Sequence, residues 1–143
     1  MITTKKTFTK AICFAVAIVT MVMCLVFATT KASASWYGRT YATFSNGLYS
    51  QEYYFDGNNV GLTWTSAHNS VPTHINNGDG FYITLEKKGF LGVYTSLGTK
   101  NFSRSGGGTG KWESVGSGTY RFRFHKATDG TTQYVEDIEM YSW

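Results

Sequence analysis

The chain has 143 residues and a formal net charge of +4, yet its composition changes sharply at residue 34. Lys5, Lys6 and Lys10 precede an apolar stretch from Ala11 to Ala28, and Ala32-Ser33-Ala34 follows as a small-residue processing site, the three-part pattern of a secretory signal peptide. Cleavage there leaves residues 35–143 with nine basic and nine acidic side chains and no cysteine, which excludes disulfide scaffolds, thiolate zinc sites, cysteine nucleophiles and any strong field toward nucleic acid.

The apolar stretch also reaches the lower limit of a spanning helix, so a retained anchor is the alternative to cleavage. Cys24 lies within that stretch, behind Val22-Met23 rather than a small-residue lipobox. The region from Ser35 onward carries 38 apolar residues, 21 of them aromatic, with 16 glycines and the single proline Pro72. Aromatic and β-branched residues favour strands and glycines supply turns. Apolar positions recur with period two and no long window shows a helical period.

In chain order, Asn46-Gly47 predicts a two-residue turn joining Trp36–Ser45 to Leu48–Phe55. Pairing Ser45 with Leu48 puts Ala42, Phe44, Tyr49, Gln51, Tyr53 and Phe55 on one face. Tyr37, Arg39, Tyr41, Glu52 and Tyr54 then occupy the other. Asp56-Gly57-Asn58-Asn59 turns the chain into a strand over residues 60–67 that carries Leu62 and Trp64. His68 to Gly80 reads as a polar loop. Phe81, Ile83 and Leu85 alternate inward, and Lys87-Lys88-Gly89 returns the chain over residues 90–97 with Leu85 opposite Leu91 and Ile83 opposite Val93. Residues 101–110 read as a flexible connection before a short strand at Trp112. A last hairpin sets Tyr120, Phe122 and Phe124 inward, with Arg121, Arg123 and His125 outward, and returns over residues 131–143. About eight strands with turns every 8 to 12 residues indicate an all-β, single-domain antiparallel β-sandwich, with a small β-barrel as the alternative. In architecture the chain resembles small exported β-sandwich proteins of bacteria, and no family motif matches it residue by residue.

The chemical motifs are weak. Gly106-Gly107-Gly108-Thr109-Gly110-Lys111 lacks a phosphate-loop glycine at Ser105, a following Ser/Thr and a following helix. Gly116-Ser117-Gly118 has Val115 where a nucleophile elbow needs glycine. His68 and His74 lack a third metal ligand, and Asp56 and Asp79 sit in turns that match no dedicated calcium loop. Glu52 has aromatic company but no partner acid. Asp137 and Glu139 come within reach of Arg121 and Arg123 across the final hairpin if its register carries a bulge, an exposed pairing of roughly 0.2 to 1 kcal/mol. No metal, cofactor or catalytic group is therefore assigned.

What remains is the aromatic excess. Either a second sheet covers the face bearing Tyr37, Tyr41 and Tyr54, or those rings form an outward platform rimmed by Arg39 and Glu52. Such a platform suits sugar rings, whose C–H faces lie on aromatics while hydroxyls meet polar groups; it also suits a protein interface. The sequence thus leads to a small secreted, non-catalytic binding module for cell-wall or extracellular polysaccharide, with Tyr37, Arg39, Tyr41, Glu52 and Tyr54 as its ligand-binding residues. The alternative is a secreted antibacterial or toxin-like protein acting on a membrane or a protein receptor, and neutral charge weighs against anionic lipid.

Overall fold

The computed structural model describes residues 34–71 and 80–143. The leader expectation, and the loop positions from Pro72 to Asp79 with His74 among them, lie outside the described residues. The described residues form one compact unit.

Ten strands are described: β1 (Trp36–Phe44), β2 (Gly47–Tyr49), β3 (Tyr53–Phe55), β4 (Val60–Trp64), β5 (Ser66–Asn69), β6 (Phe81–Lys88), β7 (Tyr94–Phe102), β8 (Gly108–Trp112), β9 (Gly118–His125) and β10 (Gln133–Ser142). They form two antiparallel five-stranded sheets. The first runs β1-β10-β4-β8, with β5 also on β10; the second runs β2-β9-β6-β7, with β3 also on β9. Neither sheet closes on itself, so the fold is an open sandwich. The extra strands arise because two expected strands are each split. Between β4 and β5, Thr65 donates its hydroxyl to Asp137 at 2.8 Å, where β10 kinks at a positive φ of 53°. Between β2 and β3, the Ser50 hydroxyl accepts the Phe122 N–H at 2.9 Å in place of a backbone carbonyl.

The inward faces follow the alternation. Leu62, Phe55, Phe81, Ile83, Leu85, Tyr120 and Phe122 are fully buried, and Trp64, Trp112, Phe44 and Phe124 nearly so. Burying a large aromatic contributes on the order of 2 to 3 kcal/mol, so rings supply much of what disulfides supply in small disulfide-bonded domains. The glycine-rich stretch expected as a flexible connection is instead packed. The Trp64 indole lies across Gly108, where an added Cβ would sit 2.2 Å from the ring, and Trp64 Nε1 donates to the Gly106 carbonyl at 3.2 Å.

Strand partners are where expectation and structure part. Residues 36–45 and 48–55 are not a hairpin: β1 pairs β10 in one sheet and β2 pairs β9 in the other. Asn46-Gly47 takes no positive-φ turn, and its Asn46 carbonyl instead accepts the Lys126 N–H at 2.9 Å. Likewise β9 and β10 lie in different sheets. Arg121 meets Glu86 on β6 at 2.7 Å, while Glu139 meets Arg39 on β1 at 3.3 Å. Ala42, Phe44, Tyr53 and Phe55 still face a common core with Tyr120, Phe122, Phe124, Ile138 and Met140, because a chain that arches between two sheets can point the same side chains inward as a hairpin; Tyr49 and Gln51, expected on that same face, are instead exposed. The β6–β7 hairpin does form, but in another register: Ile83 pairs Lys100 and Lys88 pairs Tyr94. Phe90, Leu91 and Val93 therefore project from its tip instead of facing Leu85 and Ile83.

Candidate functional site: an aromatic cleft at the open edge

The two ends of the sheet order differ. At one, β7 and β8 are bridged by Trp112 Nε1, which donates to the Gly98 carbonyl at 3.0 Å. At the other, β1 and β2 leave a cleft of about 540 Å³ between the sheets. Tyr37, Arg39, Thr40 and Tyr41 line it from β1; Leu48, Tyr49, Ser50, Gln51 and Tyr53 line it from the opposite sheet; Ala42, Phe124, Ile138 and Met140 form an apolar floor.

A bulge in β1 shapes this cleft. Tyr37 pairs Met140 and Thr40 pairs Ile138, so one extra residue is accommodated at Gly38-Arg39. The insertion breaks the two-residue period, which is how Tyr37 and the even-numbered Ala42 and Phe44 can all turn inward. Tyr37 packs edge-on against Tyr53 at 4.9 Å and Phe55 at 5.3 Å, and its hydroxyl donates to the Tyr54 carbonyl. Tyr41 remains 76% exposed at the rim. Arg39 is also exposed and reaches Glu139 at 3.3 Å, which leaves donor capacity on its guanidinium. Burial raises the Tyr53 hydroxyl above its usual pKa, opposed by its hydrogen bond with Gln51, so it stays a neutral donor and acceptor at physiological pH.

The structure therefore brings Tyr37, Arg39 and Tyr41 together and separates them from Glu52 and the Tyr54 ring. Glu52 lies on the outer face of the second sheet. It accepts from Lys88 at 2.8 Å and from the Tyr94 hydroxyl, and those two hydrogen bonds, Lys88 first, hold its carboxyl below the usual range. Arg121 lies over the Tyr94 ring at 3.6 Å and the Tyr49 ring at 4.1 Å. Tyr54 is exposed, and only its backbone touches the Tyr37 hydroxyl. The single platform expected from one hairpin is thus two surfaces. Sequence reasoning missed Gln51 and Tyr53 as cleft residues because it placed them on the opposite face of that hairpin from Tyr37, Arg39 and Tyr41; no local signal marks the chain's passage between sheets.

The remaining candidates are accounted for locally. His68 stacks on Tyr134 at 4.7 Å, and His125 stacks on Tyr82 at 5.4 Å with its Nε2 near the Thr84 hydroxyl at 3.2 Å. Asp56 accepts from the Ser35 hydroxyl. Among the described residues no three His, Cys, Asp or Glu side chains gather closely enough to hold a metal ion.

No family model and no curated protein matches this chain. Solved structures with a similar strand layout include the Yersinia pseudotuberculosis-derived mitogen (9% identity, TM-score 0.41, 79% of this chain and 88% of that one). A carbohydrate-binding module of family 29 is also similar (10%, 0.43, 77% and 90%). So is the module TmCBM61 in complex with β-1,4-galactotriose (12%, 0.38, 80% and 92%). Likeness at this level transfers neither a ligand nor an activity.

Proposed function

We propose that residues 35–143 are a small exported, non-catalytic module that binds cell-wall or extracellular polysaccharide in the cleft between β1 and β2. The cleft's lining carries the reading: three tyrosines (Tyr37, Tyr41 and Tyr53) stand around an apolar floor beside Arg39, Ser50 and Gln51, while the Tyr49 ring turns to Arg121 and Arg123 on the outer face. Sugar rings are apolar on their C–H faces and polar at their edges, so rings and amide or guanidinium donors side by side match both. The lining contains no Asp, Glu or His, which favours holding a saccharide over cleaving it. Export rests on the leader pattern, and the even charge balance of residues 35–143 disfavours a nucleic-acid partner.

Sedimentation of residues 35–143 with washed cell-wall polysaccharide tests this reading. Arg39→Ala with Tyr41→Ala removes two exposed rim groups without touching the core. Retention is expected to fall about tenfold or more while far-UV circular dichroism stays unchanged. Unaltered retention of that folded double variant would refute the proposal.

A further inference from the structure

The β6–β7 hairpin ends in an ordered apolar tip. Phe90, Leu91 and Val93 are 104%, 84% and 67% exposed. The turn that carries them is fixed by the Gly89 N–H donating to the Val93 carbonyl at 2.8 Å and the Gly92 N–H donating to the Gly89 carbonyl at 2.9 Å. Gly92 adopts φ +76°, a conformation that L side chains rarely take. Holding three large apolar side chains in water gives the isolated domain nothing, and their exposure calls for a partner.

We infer that this tip inserts into a lipid bilayer, with Phe90, Leu91 and Val93 entering the boundary between headgroups and acyl chains. Area is the first argument. Three side chains expose a few hundred Å² at most, whereas a stable protein interface takes about 800 Å² from each partner. Insertion has no such threshold, because each buried apolar group contributes separately. Shape is the second. Side chains on a reversing turn point in different directions, and a fluid medium covers them all. The third is the base of the hairpin, where Lys88, Tyr94 and Arg121 are the residue types that sit at headgroup depth.

Charge then decides which membrane. Lys88 is paired with Glu52 at 2.8 Å and Arg121 with Glu86 at 2.7 Å, and Lys87 Nζ donates to the Val115 carbonyl at 2.8 Å. With its cations locally answered, the tip is built for apolar insertion that needs no anionic lipid and changes little with salt. It joins β6 to β7, whereas the cleft is at the β2 end of the same sheet order, so this inference stands apart from the saccharide reading.

The test uses residues 35–143, which contain the whole described core and omit the apolar leader that would itself bind lipid. Flotation is measured with vesicles of phosphatidylcholine alone and of phosphatidylcholine with phosphatidylglycerol, each at low and high salt. Wild type is expected to float with both kinds of vesicle at both salt levels. The double variant Phe90→Ser, Leu91→Ser, which alters only exposed side chains, is expected to bind about tenfold or more weakly at unchanged circular dichroism. The inference is overturned if wild type floats with neither vesicle, if the double variant floats equally well, or if binding needs phosphatidylglycerol and vanishes in salt. Sedimentation velocity without vesicles completes the test: a dimer dissolved by the same two substitutions would make a second copy of this chain the occupant and overturn the inference too.

Discussion

Asp129 anchors the most heavily charged buried spot described. Its carboxylate pairs with both Arg104 and Lys126, whose side chains are 1% and 0% exposed, and it accepts the Thr131 N–H at 3.0 Å. Among the described residues, Nε and Nη2 of Arg104 find no acceptor. Removing the carboxylate would strand two buried cations, so Asp129→Ala should cost about 3 kcal/mol or more in urea unfolding. The Lys126 hydrogen bond, with those from Arg104 and Thr131, holds the Asp129 carboxyl far below its usual range against the opposing effect of burial. Because the folded pKa is the lower one, the unfolded chain takes up the proton first as pH falls. The stabilisation is complete above about pH 5 and drains away below about pH 4. His125 adds an earlier limb, since burial and then Arg123 lower its pKa. Its neutral form is favoured by folding, so stability begins to fall as pH drops through about 6.5. Urea midpoints measured from pH 7 to pH 3 should show both limbs, and His125→Gln should remove the upper one alone.

Within β1, the bulge at Gly38-Arg39 gives two tyrosines four residues apart opposite roles. Tyr37 belongs to the core edge through Tyr53 and Phe55, and Tyr41 belongs to the rim. Tyr37→Ala should therefore destabilise the domain by about 2 kcal/mol, through lost ring contacts and burial, while Tyr41→Ala should stay within about 0.5 kcal/mol of wild type. Chemical denaturation of both variants checks this pair. Equal costs would mean that the strand keeps an unbroken alternation. The sequence shows which residues of β1 are apolar, but the bulge answers the kink at Asp137 in β10 and the width of the space between sheets, neither of which is local to β1.

Across the whole molecule, the cleft and the apolar tip are at separate places in the sandwich. Each should answer only to its own substitutions. Combining Arg39→Ala, Tyr41→Ala with Phe90→Ser, Leu91→Ser should lower polysaccharide retention and vesicle flotation by the same factors as the separate pairs, because substitutions that share no contact partner are additive. A quadruple variant whose loss on either probe clearly exceeds that of its pair would show that the two surfaces act as one.

Composition, glycine spacing and period-two alternation were enough to make the domain all-β and to name most of its core, Phe81, Ile83, Leu85, Tyr120, Phe122 and Phe124 among them. Those features report on which side of a strand meets apolar matter, and that is a local property. They carry no information about which strand supplies the hydrogen bonds. Asn46-Gly47 could close a hairpin or arch between sheets while keeping Ala42, Phe44, Tyr53 and Phe55 inward, and only the pairing of β1 with β10 and β2 with β9 chose between them. That choice dissolved the single face of Tyr37, Arg39, Tyr41, Glu52 and Tyr54 and opened the cleft, because partners far apart in the chain meet only once the two sheets pack; the register of the β6–β7 hairpin, with Lys88 on Tyr94, is what leaves Phe90, Leu91 and Val93 at a tip.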